Sequence, residues 1–372
     1  MKKFSCIELF SGAGGLAVGL EQAGCEHKAF VEWNAEACRT LRSNFDPTLV
    51  FEGDVRDFPF SRFAGTDIVA GGPPCQPFSV AGKAKGETDK RDMFPAAIAA
   101  IRTVRPKAFI FENVKGLLRG SFADYFNYIL LLLRQPDAQL PSTDWRENLK
   151  HLQALASNDG EDTLRYNVSY KLVNAADYGV PQKRERVFIV GFRSDLNVRW
   201  DFPNATHSED ALLWDKYVDG AYWERHGVTP APDDRLRTRL LERYGMWHPA
   251  AQPWLTVRDA LSGLGAPDGK DGHTLRTGAR EYPGHTGSPM DEPSKTIKAG
   301  AHGVPGGENM LKYPDGTVRY YSVAEAKRIQ TFPDAYKVSG AWTEAMRQMG
   351  NAVPVRLARI VGTSVLQALA TA

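Results

Sequence analysis

The chain reads as α/β: a doubly wound, nucleotide-binding sheet joined to a second, smaller and more irregular domain. Three observations predict this. First, a buried strand over residues 4–10 runs into Ser11-Gly12-Ala13-Gly14-Gly15 and then into a helix over residues 16–22, with Leu16 and Leu20 four apart and Gly24 as its stop. Glycines admit a ligand close to the backbone and a helix N-terminus offers free N–H groups, so strand, glycine loop, helix is how such a sheet opens. Second, ligand-type residues close successive strands, Glu32-Trp33 after residues 28–31 and Asp54 in Phe51-Glu52-Gly53-Asp54-Val55. Third, the composition changes near Trp200, and to residue 318 the chain is rich in Gly, Pro, Trp, His and Arg with sparse periodicity. A stretch of that length without disorder-type composition is a domain rather than a linker.

Length and composition narrow the classes. With 372 residues, two domains are expected, and 42% hydrophobic with 24% charged residues is ordinary for a soluble globular protein. A formal net charge of +2 neither favours nor excludes nucleic acid, since local clustering decides that. The four cysteines, Cys6, Cys25, Cys38 and Cys75, show no paired or metal-ligand spacing, which predicts a reducing compartment, no disulfide framework and no metal. Glu8 interrupts the apolar N-terminus, and the apolar run at residues 128–133 is far shorter than a bilayer requires. A cytoplasmic monomer with no membrane partner is the expectation.

Taken in order, each element carries a candidate group. Glu32 lies about 20 residues past the glycine loop, where an acid holds a ribose diol. Trp33 either lies against an adenine face or packs in the core. Asp54 either accepts from an adenine amine or caps a turn. A short apolar run at residues 66–70 then meets Gly71-Gly72-Pro73-Pro74-Cys75-Gln76-Pro77-Phe78-Ser79. Prolines stiffen the chain on both sides of one thiol, so Cys75 is a nucleophile held at a fixed place or the filler of a rigid turn. Residues 80–92 carry Lys83, Lys85, Lys90 and Arg91, and form a solvated face or a loop that closes over a polyanion.

A helix is expected over residues 95–104 and a strand over residues 107–111, ending in Glu112-Asn113-Val114. If the strands are parallel, Glu112 shares the sheet edge of Cys75, and partial burial would raise its pKa. Residues 135–166 form a helical, polar elaboration with no assigned chemistry. Strands over residues 168–173 and 186–192 flank Tyr178-Gly179-Val180-Pro181-Gln182-Lys183-Arg184-Glu185-Arg186, whose arginines are expected to point inward. Ser322-Val323-Ala324-Glu325 is a capping box for a helix through Gln330. Gln348-Met349-Gly350-Asn351-Ala352-Val353-Pro354 precedes a last helix with an apolar stripe at Leu357, Ile360, Val361, Leu366 and Leu369. Packed on the first domain, that helix makes it discontinuous: residues 1–195 plus 340–372, with 196–339 between.

In this order the motifs resemble those of the DNA (cytosine-5) methyltransferases, bacterial or phage restriction–modification type, along nearly the whole chain. Phe10-Ser11-Gly12-Ala13-Gly14-Gly15 is similar to that family's cofactor loop, Gly72-Pro73-Pro74-Cys75-Gln76 to its nucleophile motif and Glu112-Asn113-Val114 to its ENV motif. Gln182-Lys183-Arg184-Glu185-Arg186, Arg328-Ile329-Gln330-Thr331-Phe332-Pro333 and Gln348 through Pro354 match the rest. The resemblance implies a Rossmann-like methyltransferase sheet with a target-recognition domain at residues 196–339, and S-adenosyl-L-methionine as cofactor. It puts Phe10, Ser11, Gly12, Ala13, Gly14, Gly15, Glu32, Trp33, Asp54, Val55 and Pro74 at that cofactor, with Asn351 and Val353 closing the pocket.

The implied chemistry makes carbon 5 of cytosine electron-rich by attack of the Cys75 thiolate on carbon 6, with Glu112 at the neighbouring ring nitrogen, Arg186 on the carbonyl oxygen and Arg184 in support. The base must leave the helix stack first. Double-stranded DNA is the implied partner, met by Gln76, Ser79, Lys83 and Arg91 from the loop and by Lys295, Thr296, Ile297, Lys298 and His302 from the recognition region. A cognate restriction endonuclease is the expected functional companion. Residues His302 to Asn309 look like recognition regions for short G/C-rich palindromes of the GGNCC or GGWCC kind. An RNA cytosine-5 methyltransferase and a non-catalytic DNA-binding homologue are the alternatives. The long recognition region speaks for DNA over RNA, and intact Cys75, Glu112 and Arg186 speak for catalysis.

Overall fold

The structure, a computed structural model, describes residues 3–74, 92–155, 164–300 and 309–372. Cys75, Gln76, Ser79, Lys83, Arg91 and His302, with the expected closing loop and the segment from His302 to Glu308, lie outside the described residues. The chain packs as two compact units: Met1–Val173, Glu185–Phe202 and Ala358–Ala372 in the first, Asn174–Arg184 and Pro203–Leu357 in the second. Residues 174–184 and 340–357, grouped above with the first domain, therefore pack in the second unit.

The first unit is built on seven strands, β1 (Phe4–Leu9), β2 (Cys25–Glu32), β3 (Val50–Glu52), β4 (Ile68–Gly71), β5 (Ala108–Val114), β6 (Tyr166–Asn174) and β7 (Glu185–Arg193), in the order β3-β2-β1-β4-β5-β7-β6. Strands β3, β2, β1, β4 and β5 are mutually parallel, as a doubly wound sheet requires. Strand β7 runs antiparallel to β5, with Val114 opposite Arg186 and Glu112 opposite Phe188. The carboxyl ends of five strands and the amino end of β7 thus meet at one edge. Ligand-type residues gather there because the strands end there.

Helices cover both faces. Strands β1, β4, β5 and β7 turn Ile7, Leu9, Val69, Phe109, Phe111, Val187 and Ile189 to a core shared with α3 (Phe94–Val104) and α4 (Ala123–Arg134). Phe109 and Phe111 stack at 5.2 Å and are fully buried, each worth about 1.5–3 kcal/mol of transfer free energy. On the opposite face, α1 (Gly15–Ala23) and α2 (Ala35–Arg42) contribute Ala17, Cys38 and Leu41 to a cluster with Phe30 and Val50. Among the described residues of 135–166, one further helix, α5 (Trp145–Leu155), packs on α4 through Leu152.

The second unit holds helices that sparse periodicity did not disclose. α6 (Glu209–Tyr217), α7 (Ala221–His226) and α8 (Asp234–Tyr244) precede α9 (Val257–Leu261), and β8 (His207–Ser208) pairs with β9 (Gln252–Pro253). Leu212, Tyr222, Trp223 and Trp254 form their core with Ala176. Strands β10 (Ser288–Pro289), β11 (Met310–Lys312) and β12 (Val318–Tyr320) make a small sheet. The expected capping box opens α10 (Val323–Ile329), with Ser322 Oγ accepting from Glu325 N–H and Glu325 from Ser322 N–H. α11 (Trp342–Asn351) and α12 (Val355–Ala370) follow. The later turns of α12 lie on α1, close enough that a Cβ at Gly362 would come within 2.7 Å of Leu20 Cδ2. The stretch Trp342–Ala370 is long and apolar enough to cross a membrane, but 61% of its 18-residue apolar window is buried inside the protein, as in a core helix.

Candidate active site

At the end of β1, Phe10 adopts φ 55° and turns the chain into the glycine loop. Ser11 is pinned by its N–H to Val31 O and its hydroxyl to Glu8 O. Glu32, at the end of β2, organises the rest: Oε2 accepts Gly12 N–H at 2.8 Å, and Oε1 accepts the N–H groups of Trp33 and Asn34 at 3.0 and 2.8 Å. A carboxylate offers about four lone-pair sites, so it retains acceptor capacity beside these three bonds. No atom stands within 4 Å of where a Gly12 Cβ would lie, and the N-cap of α1 is Gly14, which has no side chain to cap it. The Trp33 indole is 79% exposed, so core packing is not its role. An open glycine loop leading into a helix, an acid and an exposed indole on one edge fit a nucleoside-bearing cofactor.

Asp54 behaves as the turn-capping reading expected. Its Oδ1 accepts Arg56 N–H and Nε–H at 2.9 Å each, and this pairing holds its pKa down to about 2. Val55 beside it is buried in the main core. Ala13 is buried as well, whereas Gly14 turns the chain at φ 77° to cap α1, which Gly15 begins.

Strand β4 delivers the chain toward Cys75. At Gly71 a Cβ would lie 2.3 Å from Leu9 O, so only glycine lets β4 approach β1 this closely there. The next residues are fixed from two sides: Asn113 Nδ2 donates to Pro73 O at 2.9 Å, and Met93 N–H to Pro74 O at 3.1 Å. The backbone leading into Cys75 is thus anchored to β5 and to the residue before α3. Asn113 had no assigned role in the sequence, although its motif was visible.

Glu112 is buried beside that anchor, its Oε2 lying 3.6 Å from where a Gly72 Cβ would be. Arg186 Nε stands 2.8 Å from Glu112 Oε1, with both side chains largely buried. Burial pulls the Arg186 pKa below its ordinary value, and Glu112 opposes that shift. Arg186 Nη1 also donates to Glu185 O at 2.7 Å, which fixes its plane. A buried acid beside a buried guanidinium can stabilise a polar group whose charge changes during a reaction.

Arg184, two residues earlier, does not join that pair. It is wholly buried in the second unit, with Nη1 donating to Ile297 O at 3.0 Å and Nη2 to Gly350 O and Ala352 O at 2.8 and 3.0 Å. Its guanidinium serves three backbone carbonyls. Ile297, expected at DNA, is likewise buried, whereas Lys298 is exposed and Lys295 and Thr296 are half-buried. Lys295 Nζ donates to Thr286 Oγ1 and Thr296 Oγ1 to Lys183 O. Asn351 is exposed and Val353 buried, both in the second unit. Sequence reasoning missed Gln182 and Gln330, both fully buried and bonded to each other at 2.9 Å. The signal available was their place inside two quoted motifs. Among the described residues Asp215, Asp219 and His248 bring three ligand-type atoms within 4.8 Å, but two of the three are exposed and His248 is already bonded to Asp215.

A parallel sheet with an antiparallel β7, a glycine loop closed by an acid after β2, and a Glu–Arg pair at the same edge make up a methyltransferase-type fold. Residues 4–137 and 146–367 match the sequence profile of the C-5 cytosine-specific DNA methylases, and the chain belongs to that family. It is a DNA (cytosine-5-)-methyltransferase. The chain is 32% identical to Type II methyltransferase M.NgoMIV of Neisseria gonorrhoeae, over 99% of this chain and 98% of that one. It is 30% identical to M.Eco47II of Escherichia coli, over 98% and 79%. The S. pombe Dnmt2 methyltransferase structure matches with a TM-score of 0.60 at 16% identity, over 98% of this chain and 99% of that one, a likeness of fold. Methyl transfer in this family uses S-adenosyl-L-methionine, and the open loop, acid and indole described above suit it.

Proposed function

We propose that the chain methylates carbon 5 of a cytosine turned out of duplex DNA, through a covalent bond to Cys75, and so protects a short site from a companion endonuclease. The observation that carries this reading is the buried Glu112–Arg186 pair, 2.8 Å apart, beside the anchored Gly72-Pro73-Pro74 segment that leads to Cys75. S-adenosyl-L-methionine, when bound, supplies an electrophilic methyl group. The chain's own residues prepare the acceptor. Cys75, as thiolate, adds to carbon 6 of the ring, and once carbon 5 is methylated, loss of the carbon 5 proton to a base breaks the carbon–sulfur bond and returns the thiolate. Glu112 holds a proton at the neighbouring ring nitrogen, and Arg186 meets the carbonyl oxygen while orienting Glu112. Extrusion of the base costs on the order of a few kcal/mol, which contacts to the DNA backbone offset.

Glu32, Trp33 and the loop from Phe10 to Gly15 hold the cofactor's ribose, adenine and chain, with Asp54, Val55 and Pro74 around them. Residues 196–339 contain the recognition segment, and Lys295, Thr296 and Lys298 meet DNA from it. The names of the two relatives given above, both Type II methyltransferases, support the restriction–modification role. Glu32→Ala leaves three backbone N–H groups without their acceptor and removes the ribose contact. At about 1.5–3 kcal/mol per charged hydrogen bond, cofactor binding by calorimetry is expected to weaken at least about tenfold.

The test of the activity is methyl transfer from isotope-labelled S-adenosyl-L-methionine to unmethylated genomic duplex DNA and, separately, to tRNA. We expect label in DNA, mapped by sequencing to carbon 5 of cytosine within one short motif. Label in tRNA alone would overturn the DNA reading.

A further inference from the structure

In the second unit, the turn after α8 presents Met246 and Trp247, which are 90% and 81% exposed and stand out furthest of the large apolar side chains among the described residues. Single apolar residues scattered on a surface need no explanation, but two neighbours held out together do. The turn is not a slack loop, because both of its feet are fastened to α6. On one side Tyr244 Oη donates to Asp210 Oδ2 at 2.7 Å, and Arg243 Nη1 donates to the same oxygen. On the other, His248 Nε2 and Asp215 Oδ1 are bonded at 2.9 Å, and Pro249 is buried. The rings of Tyr244 and His248 both meet the buried Trp214 of α6 edge-on. Between the feet Gly245 takes φ 64°, and Trp247 N–H donates to Tyr244 O at 3.2 Å. The fold therefore holds the two side chains in solvent on a braced turn.

The helix that leads into this turn is predominantly basic. α8 has four arginines against two acids, Asp234 and Glu242. Arg243 is paired with Asp210, whereas Arg235, Arg237 and Arg239 are exposed, and among the described residues no carboxylate pairs with them. Arg235 and Arg239, four apart, share one face of the helix. We propose that α8 and the Met246–Trp247 turn form a second DNA-contacting surface, one that grips the duplex beyond the methylated site: arginines without a carboxylate partner take backbone phosphates, and the apolar turn enters the minor groove. The proposal rests on the reading above of duplex DNA as the substrate. A guanidinium meets phosphate through two parallel hydrogen bonds, and here no ion pair has to be broken first. Apolar side chains entering the minor groove wedge between base steps and kink the duplex, a task that needs a rigid support. A protein partner fits less well. Two large side chains bury at most about 500 Å², short of the roughly 800 Å² per partner of a standard protein interface.

The experiment measures binding of the full chain to two duplexes carrying the site mapped above, one trimmed to that site and one extended by about a helical turn on each side. Each is titrated over a range of salt, because every phosphate neutralised adds about 0.9 to the slope of log K on log salt. The unaltered protein is expected to bind the extended duplex at least about tenfold more tightly and with the steeper slope. Arg235→Gln combined with Arg239→Gln should remove about two units of slope on the extended duplex and none on the trimmed one. Trp247→Ala should weaken the extended duplex about tenfold at unchanged slope, and leave affinity and turnover on the trimmed duplex as they were. All three side chains are exposed, so an unchanged melting temperature is expected. Equal losses on both duplexes would put the contact within the site and overturn the proposal. No loss on either would make α8 a solvated face, and self-association abolished by Trp247→Ala would make the turn a contact between copies; both also overturn it. If the unaltered protein bound neither duplex, the DNA reading itself would fail, a result seen without any variant and so distinct from the others.

Discussion

Cys75→Ser is expected to abolish methyl transfer while leaving cofactor and DNA binding close to those of the unaltered protein. The substitution changes one atom, so it alters little of the loop's volume. It replaces a group that is a few per cent thiolate near neutrality, and more where positive charge is near, by a hydroxyl that is not ionised. Removing the nucleophile of a covalent enzyme costs on the order of 10⁴–10⁶ in turnover. Two measurements separate the covalent role from a structural one. Label transferred from S-adenosyl-L-methionine to duplex DNA should vanish. A duplex with 5-fluorocytosine in the site, whose fluorine cannot leave as a proton, should give a denaturation-resistant complex with the unaltered protein and none with Cys75→Ser. A serine variant that turns over like the unaltered protein would remove Cys75 from the chemistry.

The edge of the sheet was largely legible in the sequence, and the reasons are physical. A glycine loop after an apolar strand, and an acid some 20 residues on, are backbone and spacing constraints that survive in one dimension. Glu32 meets Gly12 N–H as that spacing demands. Strand direction is different. An apolar run such as Arg186 to Phe192 has the same pattern read either way, so only the fold shows that β7 reverses and brings Arg186 beside Glu112. Arg184 was misread for a related reason: nothing in a run of four charged residues distinguishes the guanidinium that faces the reacting site from the one buried among carbonyls.

The helices of the second unit escaped because their covered positions are not uniformly apolar: in α6, Asp215 and Lys216 are buried along with Ala211, Leu212 and Trp214. In α8 only Leu240 is fully covered, and four arginines stand among its other positions, which obscures the short stripe of Leu236, Leu240 and Tyr244. The buried glutamines escaped because burial of an uncharged polar side chain leaves no mark on periodicity. It requires knowing which carbonyls lie opposite.

Glu112→Gln should lower turnover by about 10²–10⁴, the usual contribution of a positioned general acid, with DNA and cofactor affinities changed by far less. Glutamine keeps the shape of the side chain and removes its charge. The cost to folding follows from the partner. Arg186 is buried, its pKa already lowered by that burial, and Glu112 is the opposing charge at 2.8 Å. Removing one member of a buried pair leaves the other uncompensated, at about 3–5 kcal/mol. Glu112→Gln is therefore expected to melt several degrees lower as well as to turn over slowly. The two losses are separable by measuring single-turnover rates well below the melting temperature, where the fraction folded is the same for both proteins. Arg186→Met provides the comparison. It removes the opposite charge and the carbonyl contact but leaves the acid, so a stability loss of similar size with a smaller fall in rate would assign the proton to Glu112. Equal falls in rate and in DNA affinity for Glu112→Gln would instead make it a binding residue, and the proton at the ring nitrogen would need another source.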